Sequence, residues 1–138
     1  MLAVEIAKYL HNQGIGTFDE TGVEGDIFIG LLPQAPTSCV AINPTGGYMV
    51  TTSQYVDEPT IQILVRGSLN PLDSYNRAQQ ILDTLNGFHN DRFTPDGQFI
   101  VNCVAIQSAP FGFRDKNGNY IHTINFLINT MNYNRRNL

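Results

Sequence analysis

The chain has 138 residues, 42% of them hydrophobic and 14% charged, which suits one globular core and is short for two. Eight Lys and Arg against twelve Asp and Glu give a formal net charge of −4, without the clustered basic footprint that grips a phosphate backbone, so nucleic-acid binding is disfavoured. No apolar run approaches the roughly 20 residues that span a bilayer, and Glu5 interrupts MLAVEIAKYL where a secretory signal needs an unbroken apolar stretch, so the expectation is a soluble chain made in the cytosol, with no membrane partner.

At the N-terminus Leu2, Ile6 and Tyr9 share a helical stripe beside Ala3, Ala7 and Leu10, and Gly14 and Gly16 stop it, so a helix over about 2–12 is predicted. IFIGLLP at Ile27–Pro33 and CVAI at Cys39–Ile42 are short apolar runs bounded by proline or glycine, as buried strands are. Residues 43–59, NPTGGYMVTTSQYVDEP, have turn residues at both ends and no clean period, and read as a loop or a protruding hairpin.

The stretch TIQILVRGSLNPLDSYNRA joins a strand to a helix. Alternation puts Ile61, Ile63 and Val65 on one face and Gln62, Leu64 and Arg66 on the other. Asn70 suits the N-cap, Pro71 the first helical position and Asp73 the acidic first turn, while Tyr75, Ala78, Ile81, Leu82 and Leu85 form the apolar stripe and Asn86 and Gly87 close the helix. Gln98–Gln107 is apolar on both faces like a central strand, and Tyr120–Met131 turns Ile124, Phe126 and Ile128 inward and Thr123, Asn125, Leu127 and Asn129 outward. Asp115, Asn117 and Gly118 between them are turn signals for an antiparallel hairpin. This order defines an α+β fold: a single mixed or largely antiparallel sheet with two helices packed on one face.

Candidate chemistry is sparse. An anion site before the second helix would need several backbone amides aimed at one point, but Gly67 is single and Pro71 removes an amide from the helix terminus, so the expectation is a strand end and a capped helix start. No serine sits in a GxSxG turn, and Asp19–Glu20 and Asp57–Glu58 lie in loops, where solvated carboxylates are the simpler reading. Cys39 and Cys103 sit in apolar surroundings and are read as buried free thiols; His11, His89 and His122 are isolated. No catalytic, metal-ligating or cofactor-binding residue is assigned.

The outward face of the sheet stands out, because Gln62, Arg66, Thr123, Asn125 and Asn129 make it mostly neutral and polar, with Leu64 and Leu127 among them. Two readings stay open, a solvated face and one pressed against a neighbouring subunit, where unpaired charges are costly. The segment with Tyr48, Met49, Val50, Tyr55 and Val56 points to assembly, since these are many large apolar groups for an idle loop.

The opening helix, IFIGLLPQAPTSCVAI, GGY, EPTIQILVRG, SYNRAQQILDTLNG and the order strand, PFGFRDKNGNY, strand together resemble the minor capsid or tail terminator proteins of long-tailed, siphovirus-type bacteriophages. The likeness runs over most of the chain and is carried by apolar spacing and turn residues, with VRG its most recognisable piece. It implies one tail-terminator-like domain for residues 1–138, while the polar tail at about 132–138, NYNRRNL, has no match in the likeness. It further implies a homo-oligomeric ring, a hexamer, at the head-proximal end of the tail. Such a ring binds the tail tube protein, stops tube growth and offers a surface to a head-tail connector or completion protein, while DNA passes through the lumen without specific binding. On this reading Tyr48, Met49, Val50, Tyr55, Asp57 and Glu58, together with Arg66, Arg114, Asn125 and Asn129, lie at subunit or tube interfaces, and Arg66→Glu weakens assembly more than folding. Another neck protein is the alternative within the class, and a small ligand-binding α+β domain the alternative outside it.

Overall fold

The first helix, α1, spans Leu2–Asn12 in the computed structural model, which describes residues 1–49 and 56–131. It buries Leu2, Ala3, Ile6, Ala7 and Leu10. Gly14 ends it at φ 78°, where an L side chain would be strained, and its N–H reaches the His11 carbonyl at 3.0 Å. The second helix, α2, spans Pro71–Leu85. The Asn70 side chain accepts from the Leu72 N–H at 3.1 Å, so the cap forms as its sequence predicts. Ser74, Ala78, Ile81, Leu82 and Leu85 face inward, while Tyr75 lies at the edge of the stripe with its ring centroid 5.6 Å from that of His122.

Among the described residues nine strands form one sheet: β1 (Ile27–Ile29), β2 (Cys39–Pro44), β3 (Tyr48–Met49), β4 (Val56–Glu58), β5 (Thr60–Arg66), β6 (His89–Arg92), β7 (Phe99–Ala105), β8 (Phe111–Arg114) and β9 (Tyr120–Met131). β1 and β2 run parallel, and the other pairings are antiparallel. The sheet is thus mixed, and the chain is an α+β fold. β9 is the axis. One of its sides pairs with β5 and, further along, β4; the other pairs with β8 and then β7. β2 and β1 extend the sheet beyond β5, β6 extends it beyond β7, and β3 beyond β4.

The register explains the single core. Val40 opposite Val65, Ile42 opposite Ile63, and Ile63 opposite Ile124 stack branched side chains on one face, and residues of α1 and α2 belong to the same buried cluster. Both helices therefore cover one face. Buried and half-buried polar groups tie the layers together. Glu5 of α1 accepts from the Gln98 N–H at 2.6 Å, just before β7, and Arg77 of α2 reaches the Ile15 carbonyl at 3.0 Å and Asp26 at 2.7 Å.

Some boundaries differ from the sequence expectation. The strand expected over Ile27–Pro33 stops at Ile29, because Gly30 turns at φ 98° and the chain leaves the sheet. β6 and β8 were not anticipated. β6 has four exposed residues and is specified by backbone pairing to β7, with no apolar alternation to announce it. β8 sits inside the segment read as connection, and its turn closes as expected, with Asp115 Oδ1 accepting from the N–H groups of Asn117 and Asn119, each at 2.9 Å.

Candidate assembly surfaces

Arg66 ends β5, opposite Cys39 on β2 and Ile121 on β9. Its Nε donates to the Thr37 carbonyl at 2.8 Å, and its Nη2 to those of Pro33 at 2.6 Å and Pro36 at 3.0 Å. The loop after β1 thus folds back over the guanidinium and leaves Arg66 9% exposed. The expectation that this cation faces a neighbour changes accordingly: a planar fork donates from Nε and Nη2 to several loop carbonyls within its own chain, a spread that the single ammonium of a lysine would match only in part. Gly67 is equally structural. A Cβ there would lie 2.7 Å from the Ser74 backbone nitrogen, so glycine lets the strand end pack directly on the first turn of α2. Ser68 and Asp73 bond to each other beside it. The region where an anion could be imagined is filled by the protein's own groups.

The remaining outward face is as neutral as its sequence suggests. Thr60, Gln62 and Leu64 of β5 lie opposite Leu127, Asn125 and Thr123 of β9, and Leu127 and Asn129 lie opposite Val104 and Asn102 of β7. Asn125 and Asn129 are half-buried on this face. Asn125 is engaged by Gln107, a residue the sequence reading did not single out. Between β7 and β8 the chain leaves the ladder, and the Gln107 side-chain amide takes the place of a peptide group: its Oε1 accepts from the Asn125 N–H at 3.1 Å and its Nε2 donates to the Thr123 carbonyl at 2.9 Å. These two bonds bridge the break beside β9. Beside it lie Ile106, 63% exposed, Phe111, 65% exposed, and Phe113, 42% exposed. Neither phenylalanine was anticipated as a surface group, because the reading of PFGFRDKNGNY rested on its turn residues.

Tyr48, Asp57 and Glu58 come together on a two-stranded arm. Tyr48 pairs with Glu58 and Met49 with Asp57, and β4 hands this pair on to the far end of β9. Tyr48 is 69% exposed. A cleft of about 340 Å³ lies at the base of the arm, bounded by Leu2, Gly47, Tyr48, Glu58, Gln98 and Thr130 among others. Gly47 is required there, because a Cβ would lie 2.2 Å from the Glu58 carbonyl oxygen. Val50 and Tyr55 lie outside the described residues, as do residues 132–138. Arg114 stands apart from this group: it is on β8, exposed, with its guanidinium carbon 5.6 Å from the centroid of the Tyr120 ring.

Other reactive side chains are enclosed. Burial raises the Cys39 thiol pKa and pushes that of Cys103 up to about 12. Ser74 Oγ lies 2.7 Å from His122 Nδ1, but both residues are buried and Gly112 closes over the imidazole, where a Cβ would approach Nε2 to 2.5 Å. This contact fixes α2 to the β8–β9 hairpin, and burial lowers the His122 pKa. Among the described residues no three His, Cys, Asp or Glu side chains are grouped to hold a metal ion.

A layered α+β subunit with a projecting arm and a broad uncharged sheet face has the attributes of a building block of a protein assembly. Residues 9–132 match the family described as bacteriophage tail terminator protein, and the chain belongs to that family of structural virion proteins. Its fold is similar to that of a chain from the virion of a native gene transfer agent (GTA) particle, with a TM-score of 0.53, 11% sequence identity, and coverage of 94% of this chain and 92% of the other. No curated protein matches the chain.

Proposed function

We propose that the chain acts as a single domain that closes into a homohexameric ring at the head-proximal end of the tail. The ring seats on the last layer of tail tube protein, ends polymerisation there, and presents its opposite side to a head-tail connector or completion protein. The observation that carries this reading is the match of residues 9–132 to the tail terminator family. The neutral sheet face supports it, since an acidic chain of net charge −4 associates with its own copies most readily through surface free of like charges. The same acidic balance suits a lumen that lets DNA pass without holding it.

The role needs no catalytic step, cofactor or membrane, and assembly takes place in the host cytoplasm before the ring enters the virion. Interface residues on this reading are Tyr48, Met49, Asp57 and Glu58 on the arm, Asn125 and Asn129 on the sheet face, Arg114 on β8, and Val50 and Tyr55, which lie outside the described residues. Arg66 contributes indirectly, by fixing the loop that covers it. Electron microscopy of tails assembled with and without the chain tests the proposal. Added density of six copies at one tube end is the expected result, and tails whose two ends stay unchanged at saturating chain would overturn it.

A further inference from the structure

We infer that the β3–β4 arm of one copy seats against the β8 edge of the next copy, with Glu58 facing Arg114 and Lys116 and Tyr48 lying on Phe111 and Phe113. This rests on the ring reading above and names the contact that builds the ring.

The placement of the two surfaces within one chain carries the inference. β4 pairs with β9 at Thr130 and Met131, whereas β8 pairs at the other end, from Tyr120 to Thr123, and along the opposite side. From Thr130, which pairs with β4, to Thr123, which pairs with β8, β9 runs seven residue steps, and at about 3.4 Å each these hold the two surfaces roughly 24 Å apart along the strand, on its opposite sides. An arm cannot reach the β8 edge of its own chain, so any contact between them joins two copies. Because the contact uses two different surfaces, it repeats head to tail, and such a contact closes into a ring when the rotation between copies allows.

The chemistry of the two surfaces is complementary. All four residues of β8 are exposed, and among the described residues β8 pairs with β9 alone, leaving an outer edge ready for a partner. Phe111 and Phe113 put two rings there, their centroids 6.4 Å apart. Arg114 ends the strand and exposed Lys116 follows in the turn, which gathers two of the chain's eight basic residues beside two exposed aromatic rings. The arm offers the reverse, an exposed tyrosine paired across its two strands with Glu58, which Asp57 precedes. Aromatic groups enclosed by opposite charges make a contact that is both adhesive and oriented, and the charges suppress arm-to-arm and edge-to-edge pairing.

Charge exchange in the full-length chain tests this. Glu58→Arg alone and the double variant Arg114→Glu/Lys116→Glu place like charges across every contact, and each is expected to weaken self-association by about tenfold or more in sedimentation, alone and with tail tube protein. The triple variant, carrying all three changes, restores opposite charges across every contact and is expected to regain assembly. Thermal melting of each monomer checks that the fold survives. If the wild-type chain associates and the reversed variants, equally folded, match it, the arm contact is wrong while the ring reading stands. The arm contact is equally wrong if the triple variant folds but fails to recover. A wild-type chain that never associates, even on tail tubes, overturns both.

Discussion

Arg66 Nε donates to the Thr37 carbonyl at 2.8 Å, binding the end of β5 to a loop that lies twenty-nine positions earlier in the sequence. The same side chain also serves Pro33 and Pro36, so its removal orphans several carbonyls at once. Arg66→Ala should lower the unfolding free energy by about 2–3 kcal/mol in urea titrations, and Arg66→Lys should recover only part of it, because an ammonium lacks the planar fork. Arg66→Glu sets a carboxylate among carbonyl oxygens and is expected to impair folding itself, in place of the assembly-selective defect its sequence suggested. Equal urea midpoints for Arg66→Lys and the parent would show that the fork does not matter.

Gly67 makes a separate prediction from the same motif. A Cβ at this position meets the Ser74 backbone nitrogen at 2.7 Å, and backbone cannot rotate aside. Gly67→Ala should destabilise the fold by about 1–3 kcal/mol. Gly22→Ala is the control, because that position has positive φ but nothing within 4 Å, leaving backbone strain alone. If the two variants melt together, close packing of the strand end on α2 is not the reason for glycine at 67.

The buried His122 predicts a pH dependence. Burial lowers its pKa from the ordinary 6.5, so the unfolded chain takes up a proton before the folded chain does. The stability held by the neutral imidazole is therefore present above pH 6.5 and is lost as pH falls through the lower, folded-state value. Urea midpoints should decline between neutrality and about pH 5, and His122→Gln should flatten the decline. Asp19, whose pKa is lowered by the Thr21 hydroxyl hydrogen bond, acts only below its ordinary 3.8, outside this window. An undiminished slope in His122→Gln would assign the effect elsewhere.

The Gln107 side chain standing in for a peptide group should be visible in amide exchange. Gln107→Ala removes the acceptor of the Asn125 N–H, and that amide is expected to exchange about tenfold faster or more while the core amides of β5 change little. Unaltered exchange at Asn125 would mean that the β7–β8 break is held closed by other contacts.

Both helices were legible in the sequence, because caps and stripes act locally: Asn70, Pro71 and Asp73 specify the start of α2 whatever surrounds it. β9 was legible because Ile124, Phe126 and Ile128 alternate cleanly toward the core. What escaped depends on distant chain. Alternation put Arg66 on the outward face correctly, but it carries no information about a loop folding back over that face. β6 has polar residues throughout and exists through its pairing with β7, and Gln107 acts as a ladder element only because the chain breaks beside β9. Of the residues assigned to interfaces, Tyr48, Asp57 and Glu58 do gather on one arm, while Arg114 lies at the opposite end of β9.

The most direct measurement is elongation of tail tubes from purified tube protein, followed by light scattering and electron microscopy as the chain is added. Terminator action requires the chain to occupy one end of each tube and to halt growth there at a ratio of one ring per tube. Tubes that keep lengthening from both ends at an unchanged rate, with the chain left free in solution, would contradict it.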